Sequence, residues 1–194
     1  MTAATRKSIT QDTIGTYHDE NAPAVWVACL SSYNHGNLHG AWVNVPDSVE
    51  EMRELIEQVL QSSPSPDGEE WGFFDNSELA PFDIGEYEDL ETLVMYATAI
   101  NLAKADNNDD AFSVWDYDEY RGDDAESIYN RFKDQYMGCF RDGVEFSESY
   151  FDDCNEIPAH LSNYIDYEAV WRDLRNDAYY LKESYADNHV FRSY

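Results

Sequence analysis

The 194-residue sequence predicts an α+β fold in about three parts. Three observations carry that prediction. Near the start, two short runs rich in Val, Trp and Ala flank a cluster of turn residues, which is the pattern of a pair of antiparallel strands. Through the middle, apolar residues recur at helical spacing in several segments separated by Gly, Pro and Asn. At the end, His189 to Tyr194 reads as a strand after the last helical stretch, and no internal repeat is visible.

Taken in order, residues 1–22 are polar and aperiodic and read as a loosely attached tail, with the fold beginning near Ala24. AVWVACL (Ala24 to Leu30) is too short for a typical helix and reads as a strand. Tyr33 to Asn37 supplies turn residues. LHGAWVNV (Leu38 to Val45) returns as a second strand ended by Pro46, with Gly40 marking a bulge or a close backbone approach. Ser48, with Glu51 three residues on, forms a capping box that opens a helix to about Ser62. Val49, Met52, Ile56 and Val59 form its inner face and Glu50, Glu54 and Glu57 its outer one. SSPSPDG is a loop and WGFFD (Trp71 to Asp75) a third strand. Leu90, Leu93, Val94, Ala97 and Ile100 outline a second helix. Ala111 to Tyr120 and Asp124 to Tyr136 read as two more, the latter buried through Ala125, Ile128, Phe132 and Tyr136. Gly138 and Gly143 break the pattern, Val144 to Phe151 reads as a helix, and Pro158 opens a helical stretch from Leu161 through Leu174.

Forty Asp and Glu against 12 Lys and Arg leave a formal charge of −28 and a pI of 4.1. Direct binding to nucleic acid is excluded on this count, because proteins that grip DNA neutralise phosphates with Lys and Arg. An anionic membrane repels such a chain too. Hydrophobic residues at 43% and aromatics at 15% give too much buriable surface for an acidic disordered tail, so a folded protein is expected. No apolar run reaches the ~18 residues of a membrane span. MTAATRKSIT lacks the apolar core of a signal peptide, which makes the cytoplasm the expected location. Cys29, Cys139 and Cys154 are odd in number and show no CxxC spacing, so they read as buried thiols.

Motifs for chemistry fail one by one. Forty carboxylates guarantee pairs at glycosidase spacing, so Glu69, Glu70, Asp116 and Glu119 carry no information on that score. Asp116, Asp118 and Tyr120 begin like an EF-hand loop, but Gly122 falls at position 7 and Ser127 stands where a bidentate Glu is required. His35 and His39, in a turn and a strand, share no helical face, and Cys154 and His160 are equally isolated, so no metal is expected. GxSxG, GxxxxGK[ST] and GxGxxG are absent. Neither catalysis nor a cofactor is expected.

The distribution of charge is the stronger signal. Residues 8–103 hold 18 acids and one base, Arg53. On the first helix Glu50 and Glu54 stand at i and i+4, and Glu54 and Glu57 at i and i+3, which costs a few tenths of a kcal/mol per pair. Such self-repulsion without local compensation points to function. Carboxylates on a surface can present to another protein the pattern that phosphates present. At ~1.7 Å of duplex axis per charge, the net charge matches roughly 48 Å, or on the order of 14 base pairs per chain. The partner of such a mimic is a DNA-binding protein whose Arg and Lys pair with carboxylates. The other reading of the composition is an acidic halophilic-type enzyme or binding module, in which acids hold hydration and Lys is scarce; only four Lys occur.

VWVACLSSYNHGNLHGAWVNV (Val25 to Val45), FFDNSELAPFDIGEYEDLETL (Phe73 to Leu93) and IPAHLSNYIDYEAVWRDL (Ile157 to Leu174) resemble, in order and spacing, the ArdA-type antirestriction proteins of plasmids, phages and conjugative transposons. The blocks YNxGxLxGxW and LxxYIDYEAxxRDL carry most of the likeness, and YMGCF (Tyr136 to Phe140) adds to it. The resemblance implies a non-enzymatic, elongated, homodimeric DNA mimic that occupies the DNA-binding groove of type I restriction-modification enzymes. It also implies three domains after the extension at 1–22: a small antiparallel sheet plus helix at 23–87, a helical domain at 88–131, and an α+β domain at 132–194 carrying the dimer contact. A mimic aimed at another DNA-binding protein shares the same charge physics.

On this reading the phosphate-replacing acids are Glu50, Glu54, Glu57, Glu69, Glu70, Asp75, Glu78, Asp83, Glu86, Glu88, Asp89 and Glu91, continued by Asp109, Asp110, Asp116, Asp118, Glu119, Asp123 and Asp124. The C-terminal signature comprises Tyr164, Ile165, Asp166, Tyr167, Glu168, Arg172 and Asp173. Its apolar members, with Leu174, are expected in the core, and Asp166, Glu168 and Asp173 on the surface.

Overall fold

A computed structural model describes residues 18–65, 68–117, 124–154, 158, 160–161, 164–185 and 187–193. The described residues contain seven helices and two three-stranded antiparallel sheets, a mixed α and β fold. They form two compact units divided between Leu102 and Ala103. Among them, no helix is long and apolar enough to cross a membrane.

In the first unit, β1 (Ala24–Cys29) is the central strand, paired antiparallel with β2 (Gly40–Asn44) on one side and β3 (Trp71–Ser77) on the other. The register sets Val25 opposite Val43 and Val27 opposite Ala41 and Phe73, all buried, as a period of two requires of a covered face. The other face carries Trp26 edge-on to Trp42, with ring centroids 5.9 Å apart. Trp26 closes over Gly40, where a Cβ would lie 2.5 Å from the Val27 carbonyl oxygen and 2.7 Å from the Trp26 indole nitrogen. The close approach expected at Gly40 is therefore real. The end of the polar N-terminal stretch is tied to β2: His18 stacks on Trp42 at 5.0 Å, and the Asp19 N–H donates to Asn44 Oδ1 at 2.7 Å.

A short helix, α1 (Leu30–Asn34), lies between β1 and β2, where Leu30 was expected to end a strand and Tyr33 and Asn34 to belong to a turn. The helix α2 (Val49–Gln61) starts as its sequence directs, with the Ser48 hydroxyl accepting from the Glu51 N–H at 3.2 Å, and buries Met52, Ile56 and Val59. His39 is a core histidine, its Nε2 donating to the Val59 carbonyl at 3.0 Å. The helix α3 (Leu90–Ala105) crosses the division between the units, and the five apolar residues that outlined it are all buried. Its Tyr96 stacks on Phe82 at 3.9 Å.

The second unit is built on a sheet ordered β4 (Tyr136–Phe140), β6 (Asp187–Arg192), β5 (Tyr179–Ser184). One face holds the aromatic cluster of α4 (Asp109–Ser113) and α5 (Ala125–Gln135), in which Phe132 lies within 6.2 Å of Phe112, Trp115, Tyr136 and Phe191. The opposite face packs Val190 and Tyr179 with Phe146 of α6 (Gly143–Cys154) and with Trp171 and Leu174 of α7 (Tyr167–Asp177). An irregularity between Tyr136 and Gly138, with Gly138 at φ +122°, lets Tyr136 face the first cluster and Phe140 the second. Gly138 can hold that angle because it lacks a Cβ.

Several expectations are corrected here. The helix expected over Asp124 to Tyr136 stops at Gln135, because Tyr136 adopts an extended backbone and pairs with Phe191. The helix expected over Ala111 to Tyr120 ends at Ser113; residues 118–120 lie outside the described residues. The helix expected over Val144 to Phe151 runs from Gly143 to Cys154, and the Trp171 ring occupies the space of the missing Cβ of Gly143. The last helix starts at Tyr167, not at the expected Leu161, because Asp166 caps it, and it runs to Asp177, past the expected end at Leu174. β5 was not foreseen at all. Cys29 is buried as expected, but Cys139 is exposed, because it sits on β4, an edge strand whose alternate residues Met137 and Cys139 face outward. Tyr164 is also exposed and α7 holds no fully buried residue, against the core role expected for the signature's apolar members. Leu174 still packs on the Phe146 cluster.

Candidate functional site

The inward turn of Met52, Ile56 and Val59 leaves Glu50, Glu54 and Glu57 exposed on the outer face of α2. Arg53, on the same helix, places Nη2 3.6 Å from Glu91 Oε1 in the first turn of α3, with both side chains well exposed. A solvated pair at that distance adds little stability but fixes one cation beside the acids.

Several of the expected acids share one depression in the first unit. An open cleft of about 730 Å³ is lined by Glu69, Glu70, Glu88 and Asp89, with Arg53, Trp71 and Tyr87 among the other walls. Backbone bonds hold its rim: the Leu30 N–H donates to the Glu70 carbonyl at 3.0 Å and the Phe73 N–H to the Glu86 carbonyl at 2.9 Å. Asp89 accepts from the Thr92 N–H at 3.1 Å, and that bond holds its carboxyl below the usual aspartate range. The Tyr87 phenol is pushed up, first by its hydrogen bond with Glu86. A second open cleft, of about 530 Å³, runs past Glu57 and Glu69. Glu69 thus lines both clefts.

Asp75, Glu78, Asp83 and Glu86 are exposed on the same unit. In the second unit the acids divide by use. Asp109 is exposed. Asp116 pairs with Lys182 at 2.6 Å, and Asp124 caps α5 by accepting from the Ser127 N–H at 2.7 Å. Asp110 turns toward the sheet, accepting from the Ser184 hydroxyl and from His189. Asp118, Glu119 and Asp123 lie outside the described residues.

Of the signature, Asp166 caps α7 by accepting from the Ala169 N–H at 3.0 Å. Tyr167 meets Phe151 edge-on at 6.3 Å and Ile165 is half-buried, while Glu168, Arg172 and Asp173 are exposed. Sequence reasoning did not anticipate Trp71 and Tyr87 as cleft walls, although the placement of Tyr87 between Glu86 and Glu88 was a local hint. Nothing local marked Asp110 as the acid that bonds to Ser184 and His189.

Among the described residues, no group of three or more His, Cys, Asp and Glu is arranged to hold a metal ion. The two clefts of the first unit offer the carboxylates of Glu57, Glu69, Glu70, Glu88 and Asp89 with the Arg53 guanidinium among them, an arrangement suited to receiving cationic groups. No curated protein matches the chain. The family model described as Antirestriction protein (ArdA) matches residues 25–187, and on that match the chain belongs to the ArdA antirestriction protein family.

Proposed function

We propose that this protein inhibits type I restriction-modification enzymes by occupying their DNA-binding groove, with surface carboxylates standing in for phosphates and no catalytic step of its own. The observation that carries the reading is the exposure of Glu50, Glu54, Glu57, Glu69, Glu70, Asp75, Glu78, Asp83, Glu86, Asp89 and Glu91 on the first unit, with Arg53 the one base in the sequence of residues 8–103. Membership of an antirestriction family supports it. A groove that binds DNA through Arg and Lys attracts such a surface over a Debye length of about 10 Å at ordinary ionic strength.

The same proposal includes the elongated three-part division at 23–87, 88–131 and 132–194, a cytoplasmic location, and a homodimer formed through the C-terminal part. A chain of charge −28 repels a second copy of itself wherever acids dominate. Residues 157–194 hold only six acids against four bases, and there Leu161, Tyr164 and Tyr185 expose large apolar side chains. Sedimentation tests the dimer.

The central experiment is ATP-dependent cleavage of unmodified DNA by a purified type I enzyme, with a type II enzyme as control. Inhibition of the type I enzyme alone, relieved by excess DNA, is the expected result. Inhibition that excess DNA leaves untouched would overturn competition for the groove.

A further inference from the structure

The first unit also exposes apolar side chains that a purely electrostatic mimic does not need. Tyr33, Leu38 and Phe74 are exposed to 54%, 70% and 37%. Tyr33, in the last turn of α1, meets Phe74 edge-on with centroids 5.1 Å apart, so these two form one surface. The exposure of Phe74 is built into the sheet. Trp26 pairs with Asp75 and Val27 with Phe73, which leaves Phe74 as the extra residue of β3 with no partner on β1, and a bulged residue is re-aimed out of the ladder. Leu38 is held outward by an ordered loop, in which the Asn37 N–H donates to the Ser32 carbonyl and the His39 N–H to the Asn37 carbonyl, each at 2.9 Å.

Charge decides what can cover these groups. Asp75 follows Phe74 directly, and the bond from the Leu30 N–H to the Glu70 carbonyl sets Glu69 and Glu70 beside the start of α1. A second copy docking here would bring acids against acids. A basic protein surface meets them favourably, and the aliphatic stems of its Arg and Lys supply apolar contact. Apolar centres with charged rims are the usual anatomy of protein interfaces.

We propose that Tyr33, Phe74 and Leu38 form an apolar contact covered by the basic DNA-binding surface of the inhibited enzyme, supplying affinity that salt does not screen. This inference rests on the function proposed above. The test is the affinity of the full chain for a purified type I enzyme at about 50 mM and about 200 mM salt. The variants are Tyr33→Ser with Leu38→Ser, and Glu54→Gln with Glu57→Gln. The apolar pair of substitutions should weaken binding about tenfold at both salt concentrations, with an unchanged salt slope and an unchanged melt. The acid pair should flatten the slope. Apolar variants that bind like the wild type, or whose deficit disappears at higher salt, overturn the inference alone. A deficit accompanied by altered sedimentation assigns the patch to a second copy and also overturns it. Failure of the wild-type chain to bind the enzyme overturns the functional reading and this inference together.

Discussion

Asp110 Oδ2 lies 3.0 Å from His189 Nε2, across 79 positions of sequence. The same carboxylate accepts the Ser184 hydroxyl, and His189 Nδ1 is 3.0 Å from the Tyr136 hydroxyl. One acid of α4 is thereby connected to all three strands of the second sheet, through Ser184 on β5, His189 on β6 and, by way of His189, Tyr136 on β4. Burial raises the Asp110 pKa, but the bonds from Ser184 and His189 outweigh it and hold the carboxyl below its usual range. Burial likewise pushes the Tyr136 phenol up to about 12, so it stays protonated at neutral pH.

Asp110→Asn should destabilise the second unit. The cost is on the order of 1 kcal/mol, below the ~1.5–3 of a fully buried charge-assisted bond, because part of the carboxylate remains in water. The folded pKa lies below the unfolded value of about 3.9, so the contribution is complete above that value and is lost as the pH falls through the folded one. In calorimetric melts the difference between variant and wild type should therefore be constant near neutral pH and narrow as the pH falls below about 3.9. A difference that stayed constant below that pH would mean that packing, and not the charge, was lost.

Gly143→Ala should be costly. An added Cβ on this first residue of α6 would sit 2.1 Å from the Trp171 ring of α7. Relief requires the indole or a helix to move, at about 1–3 kcal/mol. In a Trp171→Ala background the same substitution should be nearly neutral, and urea denaturation of the four proteins measures the coupling. Additive losses would show that the contact is not the cause.

Neutralising any one acid of the first unit should change inhibition little. Glu54→Gln alone should raise the inhibitory concentration less than about fivefold, since exposed pairs are worth roughly 0–1 kcal/mol each. Neutralising Glu54, Glu57, Glu69, Glu70 and Glu88 together should reduce inhibition sharply and flatten its salt dependence. A single substitution that abolished inhibition would falsify collective mimicry.

Thermal melts at about 0.1 M and about 2 M salt separate mimicry from haloadaptation. The mimic reading expects a cooperative melt at the lower concentration. A chain that folds only toward molar salt would assign the acids to hydration in a saline interior.

The elements legible in the sequence were those with local causes. The capping residue Ser48 and the inward period of Met52, Ile56 and Val59 lie within α2 itself. β5 was not legible, because YYLKES is an edge strand whose Lys182 and Glu183 interrupt any alternation. The end of α5 was not legible either, since Tyr136 continues the helical spacing of Ile128 and Phe132 while its backbone is claimed by pairing with Phe191.

Net charge is a sum over residues, so the sequence by itself determined it. Which carboxylates face water is decided by contacts. Asp109 and Asp110 are adjacent and identical in chemistry, yet Asp109 is exposed while Asp110 is engaged by Ser184 and His189, some 74 and 79 positions away. Only the tertiary structure could separate them, because a hydrogen bond depends on where two distant segments meet, and neither segment carries a local mark of the other.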